Sequence, residues 1–154
     1  MLRPLLCLIL CLQLLLAAGA QDWSKFQPPD KSFSIDFPGT PALASNDPRF
    51  NLWALSEPGQ FAYMAGYASF PGYKEMSAKE KQSNLEDFLT GMTQKMTGVK
   101  RANGPGSSVD LEGKTANGQQ MKIRVVPAPE KDKLFVIMTT GQCDHAKFVK
   151  SFKQ

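Results

Sequence analysis

The chain has 154 residues, with 18 lysines and arginines against 14 aspartates and glutamates, a net charge of +4, one histidine and three cysteines. The basic residues are spread along the chain rather than gathered in a stripe, which argues against a nucleic acid or an acidic membrane as partner. No catalytic, metal-binding or cofactor-binding constellation is recognisable, so these residues support a binding or accessory protein before an enzyme.

Residues 1–20 read as a cleavable signal peptide. Arg3 is the positive n-region, Leu5 to Ala18 is almost wholly apolar, and Ala18-Gly19-Ala20 supplies the small residues a signal peptidase needs. That apolar run is shorter than the roughly 20 residues of a spanning helix. Polar Gln21-Asp22 and then Pro28-Pro29 follow it. The expectation is cleavage between Ala20 and Gln21, an extracytoplasmic (periplasmic or secreted) location, and no membrane span after processing. Cys7 and Cys11 sit inside the leader behind leucines, not at a lipobox position, and would leave with it. Cys143 then remains alone, so the mature chain holds no internal disulfide and is expected as a monomer or a Cys143-linked dimer. The loss of Arg3 would leave 17 basic against 14 acidic residues.

Residues 21–154 read as one domain. Gln21 to Lys31 is an extended lead-in, with Trp23 and Phe26 able to pin it down. Phe33 to Phe37 alternates apolar and polar, the pattern of a half-buried strand, and Pro38-Gly39 ends it. Thr40 to Arg49 is polar and carries prolines, hence loop. Phe50 to Leu55 and Phe61 to Phe70 form two β-rich runs joined by Ser56-Glu57-Pro58-Gly59, a hairpin whose second strand is apolar on both faces. Ser77-Ala78-Lys79-Glu80 is a capping box, followed by a stripe of Leu85, Phe88, Leu89, Met92 and Met96 at helical spacing, with Gly98 as C-cap. Short strands are expected at Val99 to Arg101 and Val109 to Leu111. Asn117-Gly118 signals a type I′ turn, and Met121 to Val125 alternates again. Pro127 to Asp132 reads as a polar connection. Lys133 to Thr140 is strongly β, and Asp144 caps a short last helix that turns Phe148, Val149 and Phe152 inward. Strands on both sides of one long helix give an α+β fold with helices on an antiparallel sheet.

Several of these segments carry a family resemblance. They are Trp23-x-x-Phe26-x-Pro28-Pro29 running into Phe33-Ser34-Ile35-Asp36-Phe37-Pro38-Gly39, a strand ending at Phe70-Pro71, Leu111-x-Gly113, and Phe148-x-x-Ser151-Phe152. Over residues 23–153 the chain resembles small bacterial exported proteins that share the fold of the photosystem II accessory protein PsbP. That resemblance implies an α/β/α sandwich and a non-catalytic role. Relatives of the fold include accessory subunits and a nuclear import factor that binds the Ran GTPase, a role that export would exclude. The stretch from Gly113 to Leu134 is shorter than the family pattern, which points to a missing hairpin there.

Two groups of residues could carry function. Cys143-Asp144-His145 combines a thiol near a helix start with the single histidine, the arrangement of a thiol-dependent enzyme or redox protein. Its plainer reading is a helix cap with a small residue before it, and the charge of Asp144 would disfavour a thiolate. The aromatics Trp53, Tyr63, Tyr67, Phe70 and Tyr73 are mostly sheet core, with Trp53 and Tyr73, near loops, as the candidates for an exposed ligand surface. The sequence therefore favours a soluble, exported, non-enzymatic binding or accessory domain for a protein or small-molecule partner. The alternative is thiol chemistry at Cys143 and His145.

Overall fold

Alternating apolar residues in successive strands, each long enough to cross a sheet, leave the chain one economical solution, an antiparallel meander closed on both faces. The computed structural model describes residues 22–154. The expected signal peptide of residues 1–20, its cleavage point at Ala20 and Gln21, and Cys7 and Cys11 lie outside the described residues.

A short hairpin of β1 (Ser24–Phe26) and β2 (Ile35–Phe37) comes first and forms its own two-stranded sheet. The main sheet follows: β3 (Ala42–Asp47), β4 (Phe50–Glu57), β5 (Phe61–Ser69), β6 (Thr97–Asn103), β7 (Val109–Lys114), β8 (Gln120–Ala128) and β9 (Lys133–Gly141). Its order is β3-β4-β5-β9-β8-β7-β6, with every pair antiparallel. Helix α1 (Ala78–Thr93) lies on one face. Helix α2 (His145–Ser151) and the β1–β2 hairpin lie on the other. This is the expected α+β domain, a sheet between two helical layers.

The central strands β5 and β9 are covered on both sides, as the sequence of β5 indicates. Leu134, Val136 and Met138 meet Leu85 and Leu89 of α1, together with Leu111, Ile123 and Val125. Phe135 and Ile137 join Tyr63, Ala65 and Tyr67 beneath Phe33, Ile35, Phe37 and Phe148. The lead-in is pinned as expected. The Trp23 ring stands 5.4 Å from Tyr63, and the Phe26 ring 5.6 Å from Phe37. The C-terminus is stitched to the same hairpin by paired hydrogen bonds of 2.8 Å between Ser34 and Lys153.

Local expectations were met where side chains dictate backbone. The capping box forms: the Glu80 amide donates to Ser77 Oγ, and the Ser77 amide donates to Glu80 Oε2 at 2.8 Å. The Asp144 carboxylate accepts from the Lys147 amide at the start of α2.

Four expectations are corrected. Thr40 to Arg49 is not loop, because Ala42–Asp47 pairs with β4 as an edge strand. Its side chains are mostly exposed, so pairing alone holds it and no periodic signal announces it. Helix α1 stops at Thr93, and Gly98 instead supplies a positive φ of 62° at a bulge in β6, where the register slips between Thr97 and Lys100. Asn117-Gly118 does not form a type I′ turn, which needs positive φ at both central residues. Only Gly118 has it, with φ 81°, and the Gly118 amide donates to the Thr115 carbonyl. Finally, β8 runs through Pro127. Since β7 ends opposite Val125, residues Val126 to Ala128 pair with β9 alone, and a missing N–H is tolerated there.

Candidate functional site

Cys143 and His145 flank the capping residue of α2 but do not act together. The Cys143 Sγ turns toward the sheet and donates to the carbonyls of Thr140 at 3.1 Å and Ala62 at 3.4 Å. Burial raises its pKa, and neither those contacts nor the nearby Tyr63 hydroxyl offsets that rise. A thiol engaged as a donor and held protonated is a poor nucleophile. The His145 ring points elsewhere, with Nδ1 2.9 Å from Thr139 Oγ1 and no hydrogen bond to the thiol. Burial, and then Lys122 and Arg124, push the imidazole below its ordinary pKa. The pair therefore lacks the thiol–base contact that a nucleophile requires. Among the described residues no group of three or more His, Cys, Asp or Glu is placed to hold a metal. No helix among them is long and apolar enough to cross a membrane.

The two aromatic surface candidates are both corrected. Trp53 is 9% exposed and Tyr73 2%. Trp53 shares a sheet face with Ala65 and is roofed by the lead hairpin, with Phe26 at 5.5 Å and Phe33 at 6.2 Å between ring centres. Tyr73 occupies a 3-10 turn (Tyr73–Glu75) that folds it under Phe70, 5.8 Å away. Proximity to loops suggested exposure, but in both cases the neighbouring loop closes over the ring.

Among the hollows on the described surface, a small one at the β6–β7 bulge and one between the β4–β5 turn and the end of β9 are lined mostly by polar residues and glycines, and two others bear on function. The first is the half of the sheet that α2 leaves uncovered, where β6, β7 and β8 present Lys100, Glu112, Lys122, Asp110 and Arg124 with His145 at the margin, around a hollow of ≈ 480 Å³. Register sets Lys100, Glu112 and Lys122 side by side, and Asp110 beside Arg124. Four of the five charges pair with one another, and Lys100 is left without an ion pair among the described residues. Arg124 grips Asp110 through two bonds of 2.6 and 2.7 Å, and Lys122 meets Glu112 at 3.0 Å. This is how a solvated sheet face looks, with cross-strand pairs of opposite sign.

The second is an apolar groove of ≈ 460 Å³ on the α1 side, between the early turns of α1 and the shared end of β4 and β5. Phe50, Phe70, Met76 and Phe88 line it, Ala68 contributes to the wall, and Arg49 is the single charged residue on its lining. The Phe88 ring stands 6.4 Å from Phe50 and 6.3 Å from Phe70, so the three phenylalanines form one continuous aromatic patch. None of the three is fully buried, and Met76 is likewise only partly covered. The capping box fixes where α1 begins and so where Asn84 and Phe88 fall over the sheet. Phe88, expected deep in the helix stripe, is instead only partly buried, and Leu85 and Leu89 do the sealing. Of the aromatics singled out from sequence only Phe70 reaches this groove. Phe50 was visible as a strand residue, but nothing local to it signalled an open face.

No family model matches the sequence, and no curated protein matches it. Among solved structures, the chain is similar to the Ran-binding protein Mog1p of Saccharomyces cerevisiae, at a TM-score of 0.47 and 9% identity, over 87% of this chain and 96% of that one.

Proposed function

We propose that this protein is a non-enzymatic binding domain, exported by its N-terminal leader, that receives an apolar ligand or side chain in the groove between α1 and the β4–β5 end. The observation that carries this reading is a concave patch of three phenylalanines and a methionine left unfilled by the side chains of the described residues. Small-molecule sites are of this kind, a largely apolar concavity with a few polar groups, typically about 300–1,000 Å³. The sheet face of β6 to β8 spends most of its charges on internal pairs, and the thiol is turned inward.

Methyl-labelled methionine gives a local test. A panel of small apolar compounds, titrated by NMR, should move the Met76 resonance saturably and leave Met138, sealed in the core, unmoved. Cys143→Ala should respond as the wild type does. A folded protein whose Met76 signal no compound shifts at millimolar concentration refutes the binding site. Export has its own test. The intact mass of the secreted protein should correspond to a chain beginning at Gln21, with its N-terminal glutamine cyclised. Recovery of a membrane-bound chain that retains Arg3 refutes cleavage and release.

A further inference from the structure

We propose that the occupant of the aromatic groove is a small amphipathic carboxylate, with its apolar body against Phe50, Phe70 and Phe88 and its acid group on Arg49. This rests on the groove being a binding site and adds the ligand class. Arg49 follows Asp47-Pro48 in the β3–β4 turn and is the single charge on an otherwise apolar and neutral lining. Its backbone is fixed on both sides: the Arg49 amide donates to Asp47 Oδ1 at 2.8 Å, and its carbonyl accepts from the Ser69 amide at 2.8 Å. Arg49 is exposed and, like most of the lysines, makes no ion pair within 4 Å among the described residues; the other two described arginines, Arg101 and Arg124, are each held by a carboxylate.

A guanidinium without an ion pair, on a residue that lines an apolar hollow, selects by sign and by shape. Its planar fork offers a carboxylate two parallel hydrogen bonds, a geometry that a neutral headgroup cannot return. The neutral groups on the same lining discriminate less. Ser69 is small, and one N–H of the Asn84 amide is engaged with Met76 Sδ at 3.0 Å. The groove's volume of ≈ 460 Å³ lies in the lower half of the small-ligand range of about 300–1,000 Å³, which suits a free acid of modest chain length. The flexible thioether of Met76 lets the wall adjust to a chain or to a ring. Binding therefore divides between the two parts of the ligand, with the aromatic patch supplying affinity and Arg49 supplying the choice of headgroup.

The test uses octanoate, octanamide and octylammonium, which share a chain and differ in head charge, titrated into the methyl-labelled protein with Met76 as reporter. Octanoate should bind on the order of tenfold more tightly than octanamide, the modest end of what a charge-assisted contact contributes. Arg49→Ala should remove that preference while octanamide binds as before. Arg49→Glu should reverse it and favour octylammonium, a gain that misfolding cannot imitate. Equal affinity for octanoate and octanamide, or a preference that survives Arg49→Ala, overturns the carboxylate assignment and leaves the groove standing as a neutral apolar site. A Met76 signal that moves with none of the three overturns both readings. Arg49-dependent sedimentation of the protein with phosphatidylglycerol vesicles overturns the free acid in favour of a lipid surface.

Discussion

Truncating two phenylalanines that a helical-wheel view would treat alike should separate core from groove. Phe148 on α2 is 0% exposed and packs edge-on against Phe37 and Tyr63, with centroids at 5.0 and 5.1 Å. Phe148→Ala removes a fully buried ring and leaves a closed cavity, at a cost of about 3–5 kcal/mol. Phe88 on α1 lines the groove and is only partly buried, so its truncation opens the groove further without leaving an internal void. About two thirds of the transfer free energy of a phenylalanine is about 1–2 kcal/mol. For a domain of this size, each kcal/mol moves the melting temperature by about 4 °C. Phe148→Ala should therefore melt about 12–20 °C below wild type and Phe88→Ala about 4–8 °C below it, measured by circular dichroism. Urea unfolding should show the same order with an unchanged slope. If Phe88→Ala costs as much as Phe148→Ala, Phe88 belongs to the core and the groove does not exist in solution.

Three other consequences follow from single groups. Burial raises the Asp30 carboxyl, but the Lys133 ammonium and the Ser32 amide outweigh it and bring its pKa to about 2, below the usual 3.8. A depressed carboxyl stabilises above pH 3.8 and loses that contribution as pH falls toward 2. The shift corresponds to about 2 kcal/mol before screening and about 1 after allowing for exposure, so Lys133→Met should cost about 1 kcal/mol at pH 6 and much less at pH 2. An equal cost at both values refutes the pairing. His145 is harder to protonate when folded, so it contributes fully above about pH 6.5 and its contribution falls as the pH drops below that. Its imidazole resonances, the only such set in the chain, should titrate below the free value, and a midpoint above it contradicts the buried contact with Thr139. The Cys143 thiol, raised by burial, should alkylate more slowly at neutral pH than a free cysteine, remain monomeric on non-reducing gels, and be indifferent to His145→Asn. Rapid, histidine-dependent labelling would restore the thiol-enzyme reading.

The elements legible in the sequence are those whose side chains repeat with the period of the backbone. The β4–β5 hairpin, the cap of α1, β9 and the inward face of α2 all announce themselves through spacing. What spacing does not report is how far a neighbouring layer reaches. Edge strand β3 is held by hydrogen bonds to β4, and its sequence Ala-Leu-Ala-Ser-Asn-Asp carries no periodic burial to reveal it. Gly98 satisfies a positive φ in a strand bulge as readily as at a helix end, so its identity alone does not choose between them.

The groove was hidden for the same reason. Leu85, Phe88, Leu89 and Met92 share one stripe, and the stripe does reach the sheet. The sheet beneath it is wider than the helix. Leu85 and Leu89 fall over the central strands and seal, whereas Phe88 falls toward the β4 side, where Phe50 and Phe70 rise to meet it without closing the gap. Exposure there is a property of lateral offset between two layers, which no window along one strand or one helix contains. Trp53 and Tyr73 illustrate the converse: each adjoins a loop, yet the loop folds back as a roof. The open groove lies where the covering helix stops short of the sheet's width, and Arg49 lies on that edge.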